Sequence, residues 1–131
     1  MTIHHLGYLV KNINRAVKAF ENLGYVSTSE TVYDEYRGVD IVFMSKDGYV
    51  IELVSPKGKE STVSGLFKRF GNSPYHICYE TDDLDGQIQI LTESGYVMWE
   101  EPHPAVAISN KKVCFLVHPY IGMIELVEKG E

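Results

Sequence analysis

The tetrapeptide Ile-Glu-Leu-Val occurs twice, at residues 51–54 and 124–127, and each time a glutamate interrupts an apolar run. Such runs are typical of buried strands, where an ionised carboxylate is unfavourable unless a partner compensates its charge. His5 and His76 lie in β-rich runs earlier in each half of the chain. Two imidazoles and two carboxylates form a donor set typical of divalent-metal sites. The candidate metal ligands are His5, Glu52, His76 and Glu125.

The two histidines belong to an internal repeat. His76 lies 71 residues after His5, and the same shift places Gly95 after Gly24. The second Ile-Glu-Leu-Val copy lies 73 residues after the first, so the second half contains a net insertion of two residues. Repetition in register over this length indicates the duplication of a complete supersecondary unit.

Each repeat has the pattern of a strand, a helix and three further strands. Asn12 and Asp83 follow the first strand of each repeat as favoured helix N-caps, and apolar residues at helical spacing come next. Asp47-Gly48 indicates a hairpin turn. The first repeat is predicted to have strands over about 3–10, 26–34, 39–45 and 49–54. The second is predicted to have strands over about 75–81, 96–100, 112–117 and 122–128.

These elements predict one α+β domain over residues 1–131, built from paired βαβββ modules. The first module covers about 1–56, the second about 74–131, and the connector about 57–73 contains a short amphipathic helix. The uncharged segment 102–108 lacks strand alternation, and it is interpreted either as a flap over a substrate or as a plain connector. His103 and His118 fall in loop-like stretches and are not expected to be ligands.

Strand alternation predicts which face of the sheet each candidate ligand occupies. The helix must cover an apolar face, and the residues that supply it are Leu6, Tyr8, Ile51 and Leu53. His5 and Glu52 then lie on the opposite, concave face, and the repeat places His76 and Glu125 in the same way. Two curved sheets side by side would direct all four ligands into one cavity. One divalent ion there, whether Zn, Ni, Co, Mn or Fe, would compensate both buried carboxylates.

Composition excludes several classes of partner. The net charge of −6 leaves no basic stripe for nucleic acid, and no apolar run approaches the length of a membrane span. Cys78 and Cys114 lie in apolar strand-like runs and form no C-x-x-C motif, so we predict reduced core thiols and a cytoplasmic protein.

The chain resembles the vicinal oxygen chelate superfamily, which has the glyoxalase/bleomycin resistance/dihydroxybiphenyl dioxygenase fold. The segments that carry the likeness are HHLGYLVKNI, IELVSP, PYHICYETDDLD, EEPHPAVAISNKKVCFL and GMIELVE. They are similar to methylmalonyl-CoA epimerases and to the glyoxalase I (lactoylglutathione lyase) group. The epimerases carry a glutamate just ahead of a Gly-Val pair, where this chain has Tyr36, with Glu35 one residue earlier.

The resemblance implies a metal-dependent lyase or an isomerase (epimerase) that removes a proton α to a carbonyl, with the enediolate held by the metal. Glu125 is the expected base, and Glu52 would return the proton. The expected substrate is a thioester or a glutathione-type hemithioacetal, and a homodimer is expected. Two alternatives remain open. A binding protein of the bleomycin-resistance type would generally lack the four ligands, and an extradiol dioxygenase needs Fe²⁺ with three ligands, against which Glu52 argues.

Overall fold

The computed structural model describes residues 1–130, and their elements follow the order that the repeat predicts. The α+β fold class and the paired strand–helix–strand modules are confirmed. The chain divides into two compact units. The first unit is His5–Pro74, and the second consists of Met1–His4 together with the chain from Tyr75 onward. That the two units form a single domain stays a prediction.

The first unit contains a run of four hydrogen-bonded neighbouring strands, one further short strand and two helices. Its elements are β1 (Thr2–Leu9, of which the residues from His5 belong to this unit), α1 (Ile13–Glu21), β2 (Val26–Ser27), β3 (Val32–Asp34), β4 (Val39–Lys46), β5 (Tyr49–Pro56) and α2 (Ser64–Phe70). The strand order is β2-β4-β5-β1, and β3 also pairs with β4. The run predicted as one strand over 26–34 is two short strands. Between these two strands, the Phe43 N–H donates to the Ser29 hydroxyl at 3.0 Å. A side chain there takes the place of a backbone carbonyl as the acceptor.

The second unit repeats this arrangement. Its elements are β6 (Ser73–Thr81), α3 (Leu84–Glu93), β7 (Val97–Met98), β8 (His103–Ala105), a 3₁₀ turn (Val106–Ile108), β9 (Lys111–His118) and β10 (Gly122–Glu128). The strand order is β6-β10-β9-β7, and β8 also pairs with β9. Among residues 1–130, none of the helices combines the length and apolar character that a membrane crossing needs.

The segment 102–108 differs from the prediction. It is not a plain connector, because His103–Ala105 pairs with β9 as a short strand. That the segment covers a substrate as a flap stays a prediction. Three residues are too few to show alternation, and Pro104, which has no N–H to donate, is tolerated only at a sheet edge. His103 is part of β8 and His118 ends β9, so the prediction that both lie in loop-like stretches is wrong.

Both modules use the predicted caps and bury the predicted helix face. The Asn12 side chain accepts a hydrogen bond from the Arg15 N–H at 3.0 Å, and Asp83 accepts one from the Gly86 N–H at 3.0 Å. Under α1, the buried cluster includes Met44, Ile51 and Leu53, with Leu6 and Tyr8 packed against it. Under α3, the corresponding cluster consists of Leu84, Ile88, Cys114, Leu116, Ile124 and Leu126, with Tyr79, Leu91 and Tyr96 packed against it. The face assigned from strand alternation is therefore confirmed.

Candidate functional site

The first predicted histidine–glutamate pair forms within the first unit. β1 and β5 are parallel neighbours, with Gly7 opposite Glu52. His5 lies two residues before Gly7, so its side chain leaves the same face of the sheet. Its Nε2 lies 3.4 Å from Oε1 of Glu52. His5 is 1% exposed and Glu52 is 5% exposed, so the pair is removed from water.

The second predicted pair forms within the second unit by the same register. β6 and β10 are parallel neighbours, with Cys78 opposite Glu125, and His76 lies two residues before Cys78. Nε2 of His76 lies 3.1 Å from Oε1 of Glu125. Both side chains are buried, each being 3% exposed. The duplication therefore reproduces the strand offset that brings a histidine to a glutamate.

Each pair faces a phenylalanine on the strand that pairs antiparallel with the glutamate's strand. Phe43 lies opposite Glu52, and its ring centroid is 5.3 Å from that of His5 at an interplanar angle of 79°. Phe115 lies opposite Glu125, and its ring is 5.2 Å from that of His76 at 87°. Sequence reasoning did not identify this pair of phenylalanines. The duplication was the signal that relates them.

The donor set of each pair fits a divalent cation. An imidazole nitrogen and a carboxylate oxygen within 3.1 to 3.4 Å both present lone pairs unless a proton lies between them. A bound cation would remove that repulsion and compensate the buried carboxylate. Neutral imidazole and carboxylate are ligands that zinc and related ions accept. That the two pairs bind one shared ion stays a prediction.

The two other histidines and the two cysteines named from the sequence lie outside the two pairs. His103 Nδ1 lies 2.9 Å from the Pro104 carbonyl oxygen, and His118 Nδ1 accepts a hydrogen bond from the Tyr120 N–H at 3.2 Å. Among residues 1–130, Cys78 and Cys114 form no disulfide. Burial, reinforced by the charge of Glu100, raises the pKa of the Cys114 thiol to about 11, so this thiol stays protonated and unreactive at neutral pH.

A buried ion pair that the sequence reading missed lies at the end of β3. Asp34 accepts hydrogen bonds from the Arg37 guanidinium at 3.0 Å and from the Arg37 N–H at 3.1 Å. Asp34 lies opposite Val39, which shares its face of β4 with Phe43, so the carboxylate is on the face that bears His5. Glu35 and Tyr36, between the two paired residues, are exposed. No periodic signal marks such a turn, and the connector meets it through a hydrogen bond from the Thr62 N–H to the Arg37 carbonyl oxygen at 3.1 Å.

Comparison with known proteins identifies the family. The sequence model of the Glyoxalase/Bleomycin resistance protein/Dioxygenase superfamily matches residues 4–115. The chain belongs to this superfamily. The resemblance inferred from the repeated motifs is thereby confirmed.

Relatives within this superfamily include named epimerases. The chain is 27% identical over 118 residues to the ethylmalonyl-CoA/methylmalonyl-CoA epimerase of Cereibacter sphaeroides, covering 89% of this chain and 87% of the relative. The structure of a hypothetical protein from Bacillus halodurans C-125 superposes with a TM-score of 0.86 at 26% identity, covering 99% of this chain and 95% of that one. Methylmalonyl-CoA epimerase from Mycobacterium tuberculosis superposes with a TM-score of 0.84 at 21% identity, covering 99% and 89%. These neighbours share the fold described above.

Proposed function

We propose that this protein is a divalent-metal-dependent epimerase that moves a proton at the carbon next to a thioester carbonyl. The observation that carries the proposal is the recurrence of one buried histidine–glutamate pair, at one strand offset, in both modules. A structural ion pair would not need to be kept twice at the cost of burying two carboxylates. A shared metal-binding role explains both copies with one cause.

The proposed ligands of a single ion are the two residues of each pair: His5, Glu52, His76 and Glu125. When bound, a divalent ion supplies Lewis-acid polarisation of substrate oxygens. With neutral imidazoles, two carboxylates would balance the 2+ charge of the ion, so the set is matched in charge as well as in donor type. The open coordination positions would be left for substrate oxygens or water.

The two glutamates are the proposed proton-transfer groups. A buried carboxylate is a competent general base because it is poorly solvated, and general acid–base catalysis contributes typically about 10²–10⁴-fold in rate. Glu125 would accept the proton from the substrate carbon, and Glu52, its counterpart in the repeat, would return a proton from the other side. The rings of Phe43 and Phe115, which are 9% and 8% exposed, would limit the access of water to the two carboxylates.

The proposed substrate is a carboxylated acyl thioester of coenzyme A. The name of the Cereibacter relative supports this class, since it is an epimerase of ethylmalonyl-CoA and methylmalonyl-CoA. The competing substrate is a glutathione-type hemithioacetal, because the resemblance implies glutamate at position 52 in glyoxalase I and often glutamine there in epimerases. Both reactions begin with loss of a proton α to a carbonyl, so one proton-exchange experiment tests the shared step.

The test is deuterium exchange at the α-carbon of methylmalonyl-CoA in heavy water. Metal content is measured in the same preparations. The Glu125→Gln variant should lose about 100-fold or more of the exchange rate. The matched control is Glu128→Gln, which makes the same change three residues further along β10, on the helix side of the sheet. The control should exchange at the wild-type rate.

Three outcomes would revise the proposal. Exchange at the wild-type rate by fully metallated Glu125→Gln would remove Glu125 from the role of base. Exchange with the hemithioacetal of methylglyoxal, and none with methylmalonyl-CoA, would replace the substrate class. A stably folded protein that binds no divalent ion would instead support a ligand-binding member of the bleomycin-resistance type. The expected cytoplasmic location and homodimer stay predictions.

A further inference from the structure

Two phenylalanines hold the same place in the two modules, although the sequence around them differs. Phe43 lies opposite Glu52 in the pairing of β4 with β5, and Phe115 lies opposite Glu125 in the pairing of β9 with β10. Directly opposed residues of an antiparallel pair share one face of the sheet, so each ring lies beside the glutamate and the histidine of its own module. Both phenylalanines are buried.

The contact between each phenylalanine and its histidine has a specific geometry. The interplanar angles of 79° and 87°, with centroids 5.3 and 5.2 Å apart, describe two edge-to-face contacts. Aromatic pairs favour this arrangement because the positive edge of one ring meets the negative face of the other. The outer side-chain torsion of histidine is intrinsically broad, so an isolated imidazole rotates easily. A perpendicular ring packed against it restricts that rotation.

We infer that Phe43 and Phe115 are positioning residues that fix the ring orientations of His5 and His76 and keep each Nε2 directed at its glutamate. This inference rests on the proposed function, because the oriented nitrogen is the proposed metal ligand. Residues that orient metal-binding histidines typically change metal affinity by about 10–100-fold when they are replaced.

The test compares Phe43→Leu and Phe115→Leu with a control of the same chemistry elsewhere. Leucine keeps an apolar side chain but removes the flat ring. The control is Phe20→Leu, because Phe20 makes edge-to-face contacts with Tyr8 and Tyr25, at 5.2 Å each, in the cluster under α1. All three variants should lose stability to a similar degree. Only Phe43→Leu and Phe115→Leu should weaken zinc affinity, by about tenfold or more, in competition with a chelator of known affinity.

A second measurement uses metal-free protein, so that the inference and the proposed function can fail separately. In the NMR spectrum, the ring protons of His5 should have a ring-current shift that disappears in Phe43→Leu. Those of His76 should have a shift that decreases in Phe115→Leu, where the Tyr75 ring remains at 4.4 Å. Both shifts should persist in Phe20→Leu. If wild-type protein binds neither zinc nor another divalent ion, the proposed function fails, and the NMR comparison still decides the orientation. Unchanged histidine signals, or unchanged zinc affinity in a metal-binding protein, would overturn the inference. Should a leucine variant fail to fold, methionine, a flexible apolar residue, replaces it.

Discussion

His5 and His76 occupy equivalent places in the two modules, yet their immediate neighbours differ. The Tyr75 ring packs against His76 at 4.4 Å and 88°, in addition to the Phe115 ring. At the corresponding position before His5, the chain has His4, a smaller ring. The Nε2–Oε1 distance is 3.1 Å in the second module and 3.4 Å in the first.

The comparison separates what is kept from what has diverged. In both modules, the glutamate lies opposite the residue two positions after the histidine, Gly7 in one and Cys78 in the other. A glycine and a cysteine differ in size, but the offset is the same, because both modules share the hydrophobic pattern that specifies the register of strands with a buried face. The placement of each histidine beside its glutamate therefore follows from the strand pairing that both modules share.

The largest expected effect is on zinc affinity, when one histidine at a time is removed. If one ion is shared, His5→Ala and His76→Ala should each lower zinc affinity by at least about 100-fold, since a direct ligand matters more than the groups that orient it. The stoichiometry in saturating zinc distinguishes the arrangements. Wild-type protein with two ions per chain, and one remaining in each variant, would show that the modules bind metal separately. Equilibrium dialysis with elemental analysis measures both quantities.

A smaller effect, on the free energy of unfolding, is expected where the buried clusters under α1 and α3 differ. Cys114 lies opposite Leu126 as Val42 lies opposite Leu53, so the second module has a thiol where the first has a hydrocarbon. The folded pKa of about 11 exceeds the ordinary value of 9.0, so the unfolded chain releases its proton first and the free energy of unfolding falls as the pH rises from 9 to 11. This contribution is on the order of 2 kcal/mol at pH 11.

The Cys114→Val variant isolates that contribution. Because other groups also titrate above pH 9, the quantity to compare is the difference between variant and wild type in urea unfolding at pH 8 and pH 11. The variant should become more stable relative to wild type as the pH rises. A difference that does not depend on pH would contradict the raised pKa.

The smallest effect is expected at the two helix N-caps. Asn12→Ala and Asp83→Ala should each lower the free energy of unfolding by about 1 kcal/mol, because each removes the acceptor for a backbone N–H of the first turn. The loss at Asp83 should be larger by a few tenths of a kcal/mol, since its charge also interacts with the helix dipole. Equal losses would show that the charge contributes little. Urea unfolding of the two variants at low salt measures the difference.

Local chemistry made much of this structure predictable. Asn12 and Asp83 cap their helices because the interaction spans only three residues. Tyr8 and Leu53 lie under α1 because strand alternation needs only the strand and an apolar face to bury. The internal repeat extended each inference to the second module. The interpretation of segment 102–108 as a plain connector was wrong for the opposite reason, since its three-residue strand depends on pairing with β9.

The sequence by itself determined the duplicated βαβββ modules, their apolar helix faces and the residue types that could bind a metal, because these depend on periodicity and local caps. Only the tertiary structure decided that Glu52 lies beside His5 and Glu125 beside His76, because those contacts depend on the register of strands far apart in the chain. It also decided that Phe43 and Phe115 pack on the histidines and that Asp34 and Arg37 are buried together. Strand alternation assigns each residue to a face, but it does not identify which residues of distant strands lie opposite one another.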